Sequence, residues 1–134
     1  MALIGFTVFR EKILSGQKRQ TIRRLRKRPV RVGETLHLYW KLRTKKCRKL
    51  IDATCTETFY IRFTRPFLNE WAVQKWLVPH GDESNESKDW RWMSDLEVED
   101  LARRDGFNNS SQMITALMMM HDSLLNLVFQ VIRW

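Results

Sequence analysis

The chain has 134 residues, 43% of them hydrophobic and 29% charged, a balance suited to one globular domain that buries roughly two-thirds of its unfolded surface. No apolar run reaches the ~20 residues of a membrane-spanning helix. The opening Met1-Ala2-Leu3-Ile4-Gly5 lacks the basic segment and long apolar region of a signal peptide, and two cysteines, Cys47 and Cys55, form no metal-type pair. These features predict a cytoplasmic protein with no membrane partner and no cofactor.

The net charge of +9 is unevenly spread. Residues 1–50 hold 16 Lys/Arg against only Glu11 and Glu34, whereas residues 51–134 are net acidic. A basic half of this kind attracts polyanions, of which nucleic acid is the commonest in a cytosol, although charge alone carries no base specificity.

In chain order, Leu3 to Phe9 reads as a strand rich in β-branched and aromatic residues. A short helix follows, with Phe9, Ile13 and Leu14 on one face and Gly16 as its stop. Residues 18–23 look extended, and 24–31 form a basic loop broken by Pro29 and closed by Val32-Gly33-Glu34. Leu36, Leu38, Trp40 and Leu42 alternate with polar residues, the mark of a half-buried strand. After a basic turn (Arg43 to Lys49), two further strands are predicted near 50–56 and 58–64.

Residues 66–93 break the pattern with four tryptophans, Trp71, Trp76, Trp90 and Trp92, around a polar run at 81–88. A short helix over 67–77 and an exposed loop over the polar run are expected here. Ser94 and Glu97 then form a capping-box signature opening a helix that ends near Gly106. A second helix starts near Asn109 or Ser110, with Met113, Ala116, Leu117 and Met120 on one face. Met118, Met119 and Met120 read as packing residues of that helix. Leu125 to Trp134 suits a strand buried on both sides. The result is an α+β chain: a mixed β-barrel or half-barrel with helices flanking its mouth.

The chemistry concentrates in Ile13-Leu14-Ser15-Gly16-Gln17-Lys18-Arg19-Gln20-Thr21-Ile22-Arg23. A lysine whose pKa falls readily on burial stands three residues from a hydroxyl that attacks carbonyls only when activated. In a regular strand the two would face opposite ways, so a bend after Gly16 is needed to bring them together. This stretch resembles the signature of the ASCH domain, a family of the PUA-like superfamily: an apolar pair, a small residue, then Gly-x-Lys-x-x-Thr-Ile-Arg. Val32-Gly33-Glu34-Thr35-Leu36 is similar to the family's glycine turn, and Asp105-Gly106-Phe107 to its acidic-Gly-Phe element between two helices. The Trp-rich insert has no counterpart in that pattern.

The resemblance implies one PUA-like β-barrel domain over 1–134, with the insert at about 66–93, that binds RNA or a modified nucleoside in a basic cleft. Members resembling N4-acetylcytidine amidohydrolase use a lysine, a threonine and a carboxylate. In this chain those roles would fall to Lys18, Thr21 and Asp105, an aspartate standing where that enzyme has glutamate. Arg23 would hold a carboxylate, phosphate or base edge. Arg24, Arg26, Lys27, Arg28, Arg31, Lys45, Lys46 and Arg48 would follow a single-stranded nucleic-acid backbone, and Tyr39 would stack on a base. Alternatives are an amidohydrolase acting on N4-acetylcytidine-like substrates, a ribonuclease, or a protein-interaction module using the Trp-rich insert.

Overall fold

Alternating apolar residues build two sheets, and one strand faces the cores of both. The computed structural model describes residues 1–67, 70–76, 90–121, 123–125 and 127–134. The elements run β1 (Ala2–Phe6), α1 (Arg10–Leu14), β2 (Gln20–Arg24), β3 (Thr35–Trp40), β4 (Arg48–Thr54), β5 (Glu57–Phe67), β6 (Glu70–Trp76), β7 (Arg91–Trp92), α2 (Asp95–Arg104), α3 (Ser110–Met120) and β8 (Val128–Arg133). The first sheet has the order β1-β3-β4 and the second β2-β8-β5-β6-β7. Among the described residues the ladders between these strands are antiparallel except that of β1 with β3. Among the described residues, no strand of one sheet forms a ladder with a strand of the other.

Each sheet packs a face against a core, and the second sheet is covered on both sides at β8. Ile4, Leu36 and Leu38 of the first pack with Ile13 of α1, Val30 and Ile132. Phe59, Ile61 and Phe63 of β5, with Phe129 and Val131 of β8, pack beneath Leu101 and Ala102 of α2 and Met113 and Leu117 of α3. β8 therefore gives Val131 to one core and Ile132 to the other, which explains its unbroken apolar sequence. Its one interior polar residue, Gln130, is buried with both ends of its amide satisfied. Nε2 donates to the carbonyl of Val30 (2.7 Å) and to Thr58 Oγ1 (2.8 Å), while Oε1 accepts from the Val30 amide (3.2 Å). This anchor fixes the basic β2–β3 loop to the centre of the fold.

The helix boundaries follow local signals. Ser94 and Glu97 form a reciprocal capping box at the start of α2. The Asn109 side chain accepts from the Gln112 amide (2.9 Å) at the start of α3.

Leu14 is exposed rather than sharing the buried face of α1 with Ile13. Two further expectations fail. Residues 70–76 form strand β6 rather than a helix, because Trp71, Val73 and their neighbours add to the exposed edge of β5. The Trp-rich insert thus widens the second sheet. Trp71 packs on its core, and Trp76 lies between Tyr60 and Trp90 with ring centroids 5.3 and 6.1 Å away. The polar run at 81–88 lies outside the described residues. Met118, Met119 and Met120 are exposed rather than packed, since the buried face of α3 is complete with Met113 and Leu117.

Phe63 is fully buried and meets Phe129 edge to face at 5.6 Å, whereas Trp92 on the last strand of that sheet is 56% exposed. Phe63→Ala is expected to lower unfolding free energy by about 3–5 kcal/mol in urea titration, and Trp92→Ala by under about 0.5 kcal/mol.

Candidate functional site

The site begins with how α2 ends. The amide of Phe107 donates to the carbonyl of Ala102 (3.0 Å) and that of Gly106 to Arg103 (3.0 Å), the paired bonds of a Schellman cap. Gly106 has φ +101, so the position favours glycine, and Asp105 becomes the C-cap. The Asp-Gly-Phe sequence is therefore a helix stop that aims a carboxylate inward.

Phe9 locks onto this stop. It stands before α1 in the left-handed region, φ 64, a strained conformation for an aromatic residue. Its ring lies so close to Gly106 that a Cβ there would approach within 3.1 Å, and it meets Phe107 edge to face at 5.1 Å. Lys12 Nζ donates to the Gly106 carbonyl (2.6 Å).

Lys18 completes the junction. The bend expected after Gly16 (φ 78) is present: Lys18 precedes the β2 ladder, its amide bonded to the Lys12 carbonyl (2.8 Å). Its side chain is only 3% exposed. Nζ donates to the Asp105 carbonyl and lies 3.4 Å from Asp105 Oδ2, with the rings of Phe9 and Phe6 at 4.9 and 5.7 Å. The ammonium thus occupies the electronegative end of α2, between its last carbonyls and two aromatic faces.

Burial dominates the protonation of the pair. It pushes Lys18 below the ordinary lysine range, opposed by Asp105 and reinforced by Arg23 and Lys12. It pushes Asp105 above the ordinary carboxylate range, opposed by Lys18, Gln20 and Arg23.

Thr21 and Arg23 share the other wall through strand alternation. Arg23 Nε donates to Thr21 Oγ1 (3.0 Å), Nη2 donates to the Gly5 carbonyl (2.5 Å), and the guanidinium lies 4.8 Å over the Phe6 ring. Desolvation lowers Arg23 to about 10, with Asp105 opposing and Arg26 adding to the shift.

These side chains enclose a cavity of about 370 Å³, within the range of small-ligand sites. Lys18, Thr21, Arg23, Arg24 and Asp105 line it with Phe6 and Phe9; Met120 and His121 close the α3 side. Lys18 and Thr21 therefore converge on one space, although Nζ is bonded to Asp105 and not to the Thr21 hydroxyl.

Most of the other predicted basic residues lie elsewhere. Arg26, Lys27 and Arg28 line a second groove of about 720 Å³ with Arg43. Arg31 lies beyond it on the same loop, its amide bonded to Glu34 Oε2 (3.0 Å). Lys45 and Lys46 lie in the β3–β4 connection and Arg48 opens β4; none of the three lines either space, and Tyr39 on β3 is likewise absent from both walls.

Sequence reasoning missed Gln20. Its Nε2 donates to the Leu101 carbonyl (3.0 Å) and Asp105 Oδ1 (3.3 Å), and its Oε1 accepts from Arg133 Nε (2.9 Å). Alternation with core residue Ile22 was the available signal, since it turns Gln20 inward. Phe9, Met120 and His121 were also missed as cavity residues.

No family model, curated protein or solved structure matches this chain.

Breaking one half of a buried pair strands the other charge, whereas replacing both halves by apolar groups does not. Lys18→Met is expected to cost about 3–5 kcal/mol, and Lys18→Met with Asp105→Leu to recover most of that loss, measured by urea unfolding. The pH dependence follows from the two directions. Asp105, raised in the folded state, contributes stability below the ordinary carboxylate range that is lost as pH rises through its folded pKa. Lys18, lowered in the folded state, contributes stability above the ordinary lysine range that is lost as pH falls through its folded pKa. Both limbs should vanish from the stability–pH profile of the double variant.

Proposed function

We propose that this chain is an ASCH-type, PUA-like domain that binds RNA or a modified nucleoside in the cavity around Lys18, Thr21, Arg23 and Asp105. In this reading the two sheets are the walls of a PUA-like barrel, and α2 and α3 flank its mouth. The observation that carries the reading is the cavity itself. It gathers a buried lysine–aspartate pair, an arginine, a hydroxyl and two aromatic rings from segments far apart in sequence.

The chemistry suits a nucleoside. Phe6 and Phe9 offer apolar faces for a base, while Arg23 and the Thr21 hydroxyl offer polar partners for its edge or for a phosphate. Asp105 accepts from Lys18 and Gln20, so its orientation is set before a ligand arrives. Preorganisation of this kind lowers the entropy cost of binding.

Amide hydrolysis is the second reading, favoured by the lowered Lys18 pKa beside Thr21. Neutral Lys18 would accept the Thr21 hydroxyl proton as Oγ1 attacks the acyl carbonyl of an N4-acylated cytidine. The leaving N4 amine would take that proton back, and water would cleave the threonyl ester to release the acid. Nζ must first exchange Asp105 for Thr21, so binding is the reading closer to the geometry.

Titration of the protein with N4-acetylcytidine and with cytidine 5′-monophosphate, followed by calorimetry, tests the binding reading. Saturable binding weakened at least tenfold by Arg23→Gln is expected; absence of binding by both probes contradicts it. Incubation with N4-acetylcytidine tests hydrolysis. Acetate release abolished by Lys18→Ala and by Thr21→Val supports catalysis, and release that survives both substitutions removes it.

A further inference from the structure

The cavity and the basic groove meet. Gly5 of β1 lines both, and β1 is an edge strand of its sheet. Along that edge Arg23 Nη2 bonds the Gly5 carbonyl (2.5 Å) and Arg26 Nη2 bonds the Leu3 carbonyl (3.1 Å). These carbonyls are two residues apart and point the same way, so the guanidiniums are seated about 7 Å apart in a row leading out of the cavity.

The groove beyond is strongly cationic. Arg26, Lys27 and Arg28 come from the β2–β3 loop, and Arg43 comes from the β3–β4 connection, where its backbone is left-handed (φ 66). Among the described residues Glu34 is the one carboxylate in its lining, and it already accepts from the Met1 amino group (2.9 Å) and the Arg31 amide (3.0 Å). Arg26 is engaged by a neutral carbonyl, and none of the ion pairs among the described residues involves Lys27, Arg28 or Arg43. The groove, at about 720 Å³, has nearly twice the volume of the cavity, more than the phosphate of one nucleoside would use.

We infer that the cavity holds one nucleotide of a single-stranded polynucleotide, whose phosphodiester chain leaves past Arg23 along the edge of β1 into the groove formed by Arg26, Lys27, Arg28 and Arg43. This deepens the binding reading and rests on it. The cavity supplies base contacts; the groove supplies charge and is indifferent to sequence. Lys45, Lys46 and Arg48 fall outside this track.

The test compares cytidine 5′-monophosphate with a single-stranded octacytidylate at several salt concentrations. The octamer is expected to bind at least about 100-fold more tightly than the mononucleotide. Its log-affinity should depend on log salt with a slope steeper by about 3, from about 0.7 per neutralised phosphate. In Lys27→Ala/Arg28→Ala/Arg43→Ala the octamer's advantage should fall at least tenfold, with the slope shallower by about 2. The charge-matched Lys45→Ala/Lys46→Ala/Arg48→Ala variant should keep the advantage. Equal affinity for the two probes, or equal losses in the two triple variants, overturns the track. Mononucleotide binding that is sensitive to Arg23→Gln would then leave the cavity reading standing, whereas octamer binding indifferent to Arg23→Gln overturns both.

Discussion

The placement of one ammonium group organises the candidate site. Lys18 Nζ sits at the carboxyl end of α2, bonded to the Asp105 carbonyl and beside its carboxylate, across 87 positions of sequence. Lys18 and Asp105 are almost wholly buried, with Nζ beside the Phe6 and Phe9 rings, so the pair bears a desolvation cost that an apolar pair would not. The arrangement gives the cavity a polar, preorganised wall. Its neighbours serve the same geometry: Gly106 permits the helix stop, Phe9 adopts a left-handed backbone to reach it, and Gln20 holds the far carboxylate oxygen.

The basic half of the chain then separates into groups with different physical states. Lys18 is buried and Arg23 half-buried, with pKa values depressed by desolvation. Arg26, Lys27, Arg28 and Arg43 face a shared groove and act as a field. Lys45, Lys46 and Arg48, at the end of the β3–β4 connection and the start of β4, line neither space. Sequence clustering alone treats the three groups as one basic surface.

Features carried by local rules were legible in the sequence. The capping box of α2, the glycine stop after α1, the alternation of β3 and the two-sided burial of β8 each depend on residues within one or two turns or strands. Asp105 and Gly106 were legible as a helix end because the Schellman cap is local as well. What escaped depended on distant partners. β6 looks helical until the open edge of β5 is available to pair with it. The methionines at 118–120 look like packing until Met113 and Leu117 have filled the core face. Phe9 and Gln20 reveal their roles only beside Gly106 and Asp105, and the junction of cavity and groove depends on Gly5 being at a sheet edge.

The central claim is that Lys18 is a buried, pKa-depressed group in a ligand-binding cavity, and its own titration tests it most directly. In protein labelled with ¹³C at lysine Cε, the Lys18 resonance followed against pH by NMR should titrate below the ordinary lysine range. It should also shift when cytidine 5′-monophosphate is added. A Lys18 signal that titrates like a solvent-exposed lysine and does not respond to the nucleotide would contradict the account.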